Sequence, residues 1–322
     1  MRTVGQRAYV GVTDNRWAAF LRARPALDEV NFWKPSPRAS FQSIRRGEPF
    51  LFKTHYPDNS LVGGGFLTEY RVLRVSEAWR FFGEGNGVAS EEALRASIVR
   101  HRAGSAQPVR QDEDPLIGCT LLDGVFFVED VLALPAPPDF ARNIVGGKGY
   151  ALSEGSYVER AFRQLLESST GVRLVDDVGL PTVIPGPVFR VQPEARLARA
   201  GQKAFRAAVT AAYERTCAVT GNRIVDVLEA AHIRPVAESG ENRVNNGLLL
   251  RSDVHRLFDL GYLGFDREYR LHVSPTLRKD TGNGDYFYAR EGTQPLVLPE
   301  RKPDLPDRAA LEWHMDTTFR AA

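Results

Sequence analysis

The sequence predicts an α+β protein built from two domains, and three observations support this prediction. The first half carries short runs rich in Val, Phe, Leu and Tyr that are separated by Gly and Pro. A proline-rich stretch follows, and the last third combines a long amphipathic helix with a strand, a turn, a second strand and a helix. The chain of 322 residues is long enough for about two domains of ordinary size.

The composition is that of a globular protein, with 43% hydrophobic and 25% charged residues. The net charge of +2 is small, so a site for a polyanion requires local clustering of basic residues. Only Cys119 and Cys217 are present, too few for a disulfide framework or a four-thiolate zinc site. We therefore expect a reducing, cytoplasmic setting and no structural zinc. The first residues lack the pattern of a signal peptide, and no apolar run reaches the roughly 18 residues of a membrane span, so no membrane partner is expected.

In the first half, runs rich in Val, Phe, Leu and Tyr with flanking turn residues predict strands over 8–12, 49–53, 62–67, 70–75 and 117–128, the last interrupted at Asp123 and Gly124. This pattern is typical of a mixed sheet or a small barrel. Two helices are predicted. One runs over Asn15–Arg22 behind a capping Asp14, and the other runs from Ser90 to Arg102 with acidic residues in its first turn. The GGKG sequence near residue 147 is expected to form a flexible loop.

We place the first domain at 1–166, a Pro-rich linker at 167–194 and the second domain at 195–322. The second domain opens with a helix predicted over 195–216. Apolar residues occupy one side of this helix, and a stripe of basic residues occupies the other: Arg196, Arg199, Lys203 and Arg206. The stripe is a candidate contact for a phosphate backbone, and the alternative is a solvated surface.

Residues 217–263 contain polar side chains at a spacing that chemistry can use. His232 ends a strand predicted over 227–233, and Asn246 precedes an apolar run. His255 and Asp259 are four residues apart on a predicted helix, which places both on one face with about 6 Å between their Cβ atoms. They could share a cation, while a neutral imidazole on the neighbouring strand takes a proton from water.

These residues, within LEAAHIRP and NNGLLLRSDVHRLFD, resemble the HNH nuclease family, whose ββα-metal module cuts phosphodiester bonds. The resemblance covers residues 205–277. It implies that His232 is the general base, that Asn246 orients the water or braces the loop, and that His255 is a metal ligand. Asp259 matches a second ligand position, and the implied cofactor is a divalent metal, Mg²⁺ or Mn²⁺.

Two departures from the family pattern stand out. Many members carry an Asp or His ligand immediately before the base, where this chain has Ala231, so Glu229 is the candidate substitute. Glu229 could instead pair with Arg234 or Arg251, and Asp259 could instead form a turn. Many members also fold around a four-cysteine zinc, whereas Cys217 stands alone here, so an apolar core must hold the module. The stretch from Pro299 is expected to fold back on that module.

The first half resembles the PUA-like superfamily, which includes EVE and ASCH domains and is related to SRA domains. The resemblance rests on the strand GEPFLFK, the run VGGG and the turn from Trp79 to Gly83. It implies a small β-barrel with flanking helices that takes a flipped or modified base into a pocket. Such a base is held by aromatic stacking and by hydrogen bonds to its edge. The candidate pocket residues are Asn31, Trp33, Tyr56, Asp58 and Trp79, and the alternative for the two tryptophans is the barrel core.

The two resemblances together imply a modification-dependent DNA endonuclease of the restriction type. Its architecture would be an N-terminal PUA-like β-barrel, a Pro-rich linker and a C-terminal ββα-metal HNH module. Its partner would be double-stranded DNA, and a homodimer is expected at least on DNA because two strands must be cut. The alternative is a non-cleaving modified-nucleic-acid binding protein with a degenerate HNH module, and an exported nuclease toxin is disfavoured by the missing signal. The modification could be methylcytosine, hydroxymethylcytosine, a glucosylated base or a phosphorothioate.

Overall fold

The computed structural model describes residues 6–37, 40–170, 201–293 and 297–321. The chain divides into two compact units, Met1–Ala204 and Phe205–Ala322, which are described separately below. Most of the expected linker, 167–194, lies outside the described residues. Its first residues belong to a helix of the first unit, since that helix runs to Thr170.

A mixed sheet of seven strands forms the centre of the first unit. Its strands are β1 (Arg7–Thr13), β2 (Glu29–Lys34), β3 (Pro49–Thr54), β4 (Ser60–Arg74), β5 (Leu116–Phe127), β6 (Leu134–Pro135) and β7 (Gly147–Ala151). The order is β2-β5-β4-β3-β1-β7, with β6 paired to β4. Strands β1 and β3 are parallel, and the other pairs are antiparallel.

The expected barrel is not formed by the described strands, because β2 and β7 are the two ends of the hydrogen-bonded order. The side chain of Lys34, at the end of β2, donates from Nζ to the carbonyl of Gly146 at 3.2 Å, just before β7. In a closed barrel, backbone hydrogen bonds would join β2 to β7. Here a side-chain hydrogen bond connects the end of β2 to the residue before β7.

Both faces of the sheet are buried under helices, which gives a physical reason for the open sheet. Alternate residues of each strand point to opposite faces. Val10 and Leu51 accordingly belong to one apolar cluster, together with Phe162, while Tyr9 and Phe50 belong to the other. A small barrel encloses one face only, whereas this sheet supports a core on each side.

The helices of the first unit are α1 (Asn15–Arg22), α2 (Val75–Phe82), α3 (Glu91–Arg102) and α4 (Tyr157–Thr170). The bounds of α1 are those predicted, and the Asp14 carboxylate accepts from the backbone N–H of Arg16. The Ser90 hydroxyl accepts from Ala93 N–H and begins α3 in the same way. Helices α2 and α4 were not predicted.

Three local predictions in the first unit were wrong in detail. The strands predicted over 62–67 and 70–75 are one strand, β4, whose pairing with β5 shifts register twice. The interruption expected at Gly124 is a residue with φ of +56° inside the continuous strand β5. The GGKG sequence is not a loop, because Gly147–Ala151 pairs as β7 with the edge of β1.

The second unit contains the strand, turn, strand and helix that the sequence predicts. Its elements are α5 (Gln202–Ala212, beginning just before the unit), β8 (Leu228–His232), β9 (Gly247–Arg251), α6 (Ser252–Asp259), β10 (Leu263–Phe265), β11 (Leu271–Val273), α7 (Pro275–Thr281), α8 (Asp285–Tyr288) and α9 (Arg308–Thr317). Strands β8 and β9 are antiparallel with His232 opposite Gly247, and β10 pairs with β11. Within the described ranges, no helix is both long and apolar enough to cross a membrane.

Helix α5 packs directly on the β8–β9 hairpin. A Cβ atom at Gly247 would lie 2.6 Å from the Val209 side chain and 2.9 Å from the Phe205 ring, so this contact requires glycine. At the other end of the unit, the His314 ring of α9 stacks on Phe258 of α6 with centroids 3.8 Å apart. The expectation that the C-terminal stretch folds back on the module is confirmed.

Candidate active site

The hairpin and α6 bring three of the predicted metal-site residues together. Glu229 lies on β8, and its Oε2 accepts a hydrogen bond from Nδ1 of His255 at 2.6 Å. The other ring nitrogen of His255, Nε2, lies 3.5 Å from Oδ2 of Asp259, one turn later on α6. The side chains of Glu229 and Asp259 are each about half exposed, at 47% and 49%. Solvent therefore reaches both carboxylates.

His232 ends β8 in a half-buried position. Its Nε2 lies 2.8 Å from Oδ1 of Asn242, and its ring stacks on Phe205 with centroids 4.1 Å apart and planes inclined by 11°. Burial lowers the pKa of His232, while the hydrogen bond that its Nε2 donates to Asn242 raises it. Charge on His255 lowers this pKa further, and charge on Asp259 raises it. Because the net shift is downward, the imidazole is neutral near pH 7 and able to accept a proton.

Asn246 holds the loop that connects β8 to β9. Its Oδ1 accepts from Arg234 N–H at 3.0 Å, and its Nδ2 donates to the carbonyls of Arg234 and Glu241 at 2.9 and 3.0 Å. The side chain is buried. These contacts are those of a loop brace, one of the two roles that the resemblance implies for Asn246.

The alternative ion pairs of Glu229 are not formed. Both guanidinium contacts of Arg251 go to Asp253, at 2.6 and 2.7 Å, and this pairing lowers the pKa of the Asp253 carboxyl. The Nε of Arg234 donates to the carbonyl of Glu238. Ala231 is fully buried in the core. Its position therefore offers no ligand, and Glu229 is the carboxylate of β8 that reaches His255.

The donor types at this site suit a divalent cation, since carboxylate oxygens are the ligands that Mg²⁺ and Mn²⁺ prefer and imidazole is a common ligand of divalent transition metals. The arrangement differs from a closed coordination shell, because the ring of His255 stands between the two carboxylates. The described residues contain no group of three or more His, Cys, Asp or Glu side chains already arranged to hold an ion. Binding a cation would require the hydrogen bond between Glu229 and His255 to open.

An apolar core holds this module together. Cys217 is a buried free thiol, and its sulfur accepts from the backbone N–H of Arg251 at 3.2 Å. It packs in a cluster that includes Tyr213, Leu249, Val254 and Phe258. Burial of these apolar side chains stabilises the second unit.

The basic stripe is described only in part. Lys203 and Arg206 are exposed on α5, while Ala204, Phe205 and Ala208 are buried. Arg196 and Arg199 lie outside the described residues, as does the predicted start of the helix at residue 195. The described part of the stripe remains available to a phosphate backbone.

The structure separates the candidate residues of the base pocket. Asn31 is fully buried, and its Nδ2 donates to Oδ1 of Asn86 at 2.9 Å. The Nε1 of Trp33 donates to the carbonyl of the same Asn86. Trp79 lies on α2, partly buried. Asn31 and Trp33 therefore belong to a structural cluster around Asn86. Neither they nor Trp79 are among the residues that line a cavity with Tyr56.

Tyr56 lines a cavity of about 270 Å³ in the first unit, at the ends of β1 and β3. Asp58, which follows closely in sequence, is exposed and accepts a hydrogen bond from Asn15. The cavity lining carries no acidic residue and several hydrogen-bond donors and rings: Lys53, His55, Tyr56, Asn59, Phe140, Arg142 and Asn143. The cavity therefore favours a ligand that presents hydrogen-bond acceptors.

Lys53 is the most buried polar group of this cavity, with 4% of its surface exposed. Its Nζ donates to the Thr54 carbonyl at 2.9 Å and lies 4.8 Å from the centre of the Phe140 ring. Burial lowers the pKa of this amine. At the rim, the Arg142 guanidinium stands 5.0 Å from the centre of the Tyr56 ring.

The sequence analysis missed Asn242 beside His232, and Lys53 and Arg142 in the cavity. Asn242 lies in a loop, where residue spacing does not predict which side chains meet. The sequence alone does not distinguish Asn242 from Asn245, the next asparagine along the chain. Lys53 is the next-to-last residue of the buried strand β3, and a lysine that follows buried apolar residues is the one signal that could have identified it.

Comparison with known proteins gives a family for part of the second unit. Residues 217–266 match the HNH_2 family, described as HNH endonuclease. This range lies inside the 205–277 segment that carries the resemblance. It includes both strands of the hairpin and all of α6, and no curated protein matches the chain.

Three solved structures align with the chain at low similarity. A point mutant of the ASCH protein from Zymomonas mobilis is 12% identical, with a TM-score of 0.29, over 45% of this chain and 91% of its own. The ASCH protein itself is 11% identical, with a TM-score of 0.30, over 50% and 96%. The restriction endonuclease TagI, described as modification dependent, is 12% identical, with a TM-score of 0.28, over 90% and 75%. At these values, function has to be argued from the site itself.

Proposed function

Because residues 217–266 carry an HNH endonuclease domain, we propose that this protein is a modification-dependent DNA endonuclease acting in restriction of foreign DNA. It would hydrolyse phosphodiester bonds with His232 as general base and a divalent metal. The observation that carries the proposal is the position of a neutral, half-buried His232 beside the group of Glu229, His255 and Asp259.

The role of His232 follows from its environment. Its neutral imidazole accepts a proton from water as the water oxygen bonds to phosphorus, and the bond from phosphorus to the leaving oxygen breaks. Stacking on Phe205 restricts rotation of the ring. Asn246 keeps the adjoining loop in one conformation through its bonds to Arg234 and Glu241.

Glu229, His255 and Asp259 would hold the divalent cation once the hydrogen bond between Glu229 and His255 opens. A bound cation supplies positive charge that stabilises the phosphate and the leaving oxygen. Oxygen-rich coordination favours Mg²⁺ or Mn²⁺. Without a cation, the two carboxylates lie beside the path of an anionic substrate, so cation binding also removes their repulsion.

The first unit would recognise the modified DNA. The cavity beside Lys53 and Arg142 has donors and aromatic rings, the groups that hold a flipped base. Stacking of a base on such a ring is worth about 1–3 kcal/mol. The lining favours a base with acceptor groups, such as the carbonyl oxygens of a pyrimidine. We place the modified base in this cavity, with Tyr56 retained from the sequence-based set and Asn31, Trp33 and Trp79 left out.

The nuclease proposal is tested by incubating the full chain with matched supercoiled plasmids that carry unmodified, methylated or hydroxymethylated cytosine. The reactions contain Mg²⁺, Mn²⁺ or EDTA. We expect cleavage of one modified plasmid with metal, loss of cleavage in His232→Ala, and unchanged cleavage in His101→Ala, which alters an exposed histidine of the first unit. Equal cleavage of all plasmids would contradict the requirement for modification.

The base site is tested by binding, with His232→Ala in every protein so that the DNA stays intact. Fluorescence anisotropy compares duplexes with and without one modified cytosine. Lys53→Met should lower the preference for the modified duplex about tenfold or more, whereas Arg110→Gln, a change at an exposed arginine paired with Asp112, should leave it unchanged. An unchanged preference in Lys53→Met would remove the cavity from recognition.

The alternative is a protein that binds modified nucleic acid without cutting it. It is favoured by Ala231, which is buried where a ligand is usual, and by the engagement of both ring nitrogens of His255. Nicking that depends on metal separates the two functions, because a binding protein leaves the plasmid supercoiled. If cleavage occurs, the DNA-bound state should be a homodimer, since a double-strand break needs two active centres.

A further inference from the structure

The hydrogen bond between His232 and Asn242 identifies a residue that selects which ring nitrogen is available for catalysis. The amide oxygen Oδ1 of Asn242 lies 2.8 Å from Nε2 of His232. An amide oxygen only accepts hydrogen bonds, so the proton of this bond belongs to Nε2. In a neutral imidazole the other nitrogen, Nδ1, then carries the lone pair.

We infer that Asn242 is a positioning residue that holds His232 in the tautomer protonated at Nε2, so that Nδ1 is the atom that receives the proton of water. His232 has no partner at Nδ1 among the described residues. The inference rests on the proposed function for its role in catalysis. The tautomer itself is a property of the free protein.

The surroundings of Asn242 make it suitable for this role. Its side chain is buried, with 8% exposed. The main chain next to it is fixed, because the Glu241 carbonyl accepts from Asn246 Nδ2 at 3.0 Å and from Arg243 N–H at 2.8 Å. Water competes weakly for a buried acceptor. The bond to His232 is therefore maintained without a partner charge.

Stacking and hydrogen bonding restrict different motions of the ring. The Phe205 ring lies nearly parallel to the His232 ring and fixes the plane of the imidazole, but a half-turn about the Cβ–Cγ bond of His232 returns the ring to the same plane. Such a turn exchanges the positions of the two edges of the imidazole. The acceptor on Asn242 removes this freedom, because one orientation alone places an N–H against Oδ1.

The charged groups that face His232 are those of α6. His255 and Asp259 act on its pKa with opposite signs, and Asn242 is uncharged. An aspartate at position 242 would keep the acceptor and add a negative charge next to the ring. An opposite charge at such a distance raises the pKa of a histidine by about one unit or more.

The test combines the tautomer with the pH dependence of cleavage. The chain is labelled with ¹⁵N-histidine, and the signal of His232 among the six histidines is the one absent from His232→Ala. Long-range ¹H–¹⁵N spectra distinguish the two neutral tautomers. We expect the Nε2–H form in the unsubstituted protein, a mixture of tautomers in Asn242→Ala, and the Nε2–H form again in Asn242→Asp.

In the cleavage assay, Asn242→Ala should lower kcat about tenfold or more. Asn242→Asp should recover part of kcat and move the acidic limb of the pH profile upward by about one unit. The matched control is Asn245→Ala, a change at the next asparagine along the chain. This substitution should change neither kcat nor the pH profile. Loss of stability alone in Asn242→Ala, with the tautomer and pH profile unchanged, would mean that Asn242 is structural.

An Nδ1–H tautomer in the unsubstituted protein would overturn the inference, whether or not DNA is cut. If no DNA is cut by the unsubstituted protein, the proposed function fails, and the tautomer spectra still decide the role of Asn242. The two failures are therefore distinguishable.

Discussion

The sequence could place His255 and Asp259 side by side because their proximity depends on spacing alone. Two residues four apart on a helix share a face whatever surrounds them, and α6 holds His255 and Asp259 in this way. The hydrogen bond that His232 donates to Asn242 depends on the conformation of an irregular loop, for which the sequence has no periodic signal. Loop contacts of this kind require the structure.

His314 provides a prediction at the same scale. Burial lowers its pKa from 6.5 to about 4, and the hydrogen bond to the Phe258 carbonyl only partly opposes this shift. The unfolded chain therefore binds a proton below pH 6.5 that the folded chain does not bind until about pH 4. Stability falls as pH decreases across this window. At pH 5 the loss due to this histidine should be about 2 kcal/mol relative to pH 8.

The comparison is between the unsubstituted chain and His314→Phe, which keeps a ring against Phe258 and removes the titrating group. Unfolding of the second unit in urea is measured by the rate at which peroxide oxidises Met315. This side chain packs against Gly264 of β10 in the folded protein. The substituted protein should lose about 2 kcal/mol less between pH 8 and pH 5. An equal loss in both proteins would show that His314 does not cause the acid sensitivity.

At the scale of elements, regular patterns were predicted well and long-range pairing was not. Helix α1 was predicted to the residue because a cap and an apolar face are local signals. Strand β4 was divided in two because its polar residues Thr68 and Glu69 resemble a turn, whereas pairing with β5 keeps it extended. Helix α4 was not predicted although Val158, Phe162 and Leu165 have helical spacing, and its last residues, 167–170, were assigned to the linker.

The packing of α5 on β9 leads to a second prediction. Gly247→Ala adds a methyl group where the Val209 and Phe205 side chains leave no space. Overpacking of this kind costs about 1–3 kcal/mol. Because Phe205 also stacks on His232, the substitution should displace the imidazole and reduce cleavage more than it reduces DNA binding. Urea unfolding and the plasmid assay measure the two effects.

The control for this prediction is Gly146→Ala, since a Cβ at that position meets nothing within 4 Å and its backbone is not in the left-handed region. It should change neither stability nor cleavage. If Gly247→Ala were as stable and active as this control, α5 would have room to move away from the hairpin at little cost.

For the whole molecule, composition and turn residues predicted the α+β class, and the motifs around His232 and His255 predicted the strand, turn, strand and helix of the second unit. Neither predicted the form of the sheet. A sheet of alternating apolar residues is compatible with a barrel or with an open sheet between helices. Helices α1 and α4 favour the open sheet, because they cover its opposite faces. Such long-range packing leaves no local mark in the sequence.

Association with DNA provides a third prediction, which concerns the whole protein. Lys203 and Arg206 are exposed on one side of α5. If both contact phosphates, replacing both with glutamine should reduce the slope of log K against log salt by roughly 2. The control replaces two other exposed lysines, Lys279 and Lys302, with the same change in charge. Equal slopes for the two double variants would exclude a specific contact by α5.

The packing of α9 on α6 has a consequence for the order in which the protein is made. Ribosomes synthesise α6, with His255 and Asp259, well before Arg308 emerges. A nascent chain without α9 leaves the Phe258 ring uncovered, since His314 is the ring that stacks on it. Chains arrested before and after α9 should therefore differ in protease sensitivity at α6, and equal sensitivity would show that α6 is held without it. The proposed active centre would therefore gain the support of α9 only after the hairpin and α6 have been synthesised.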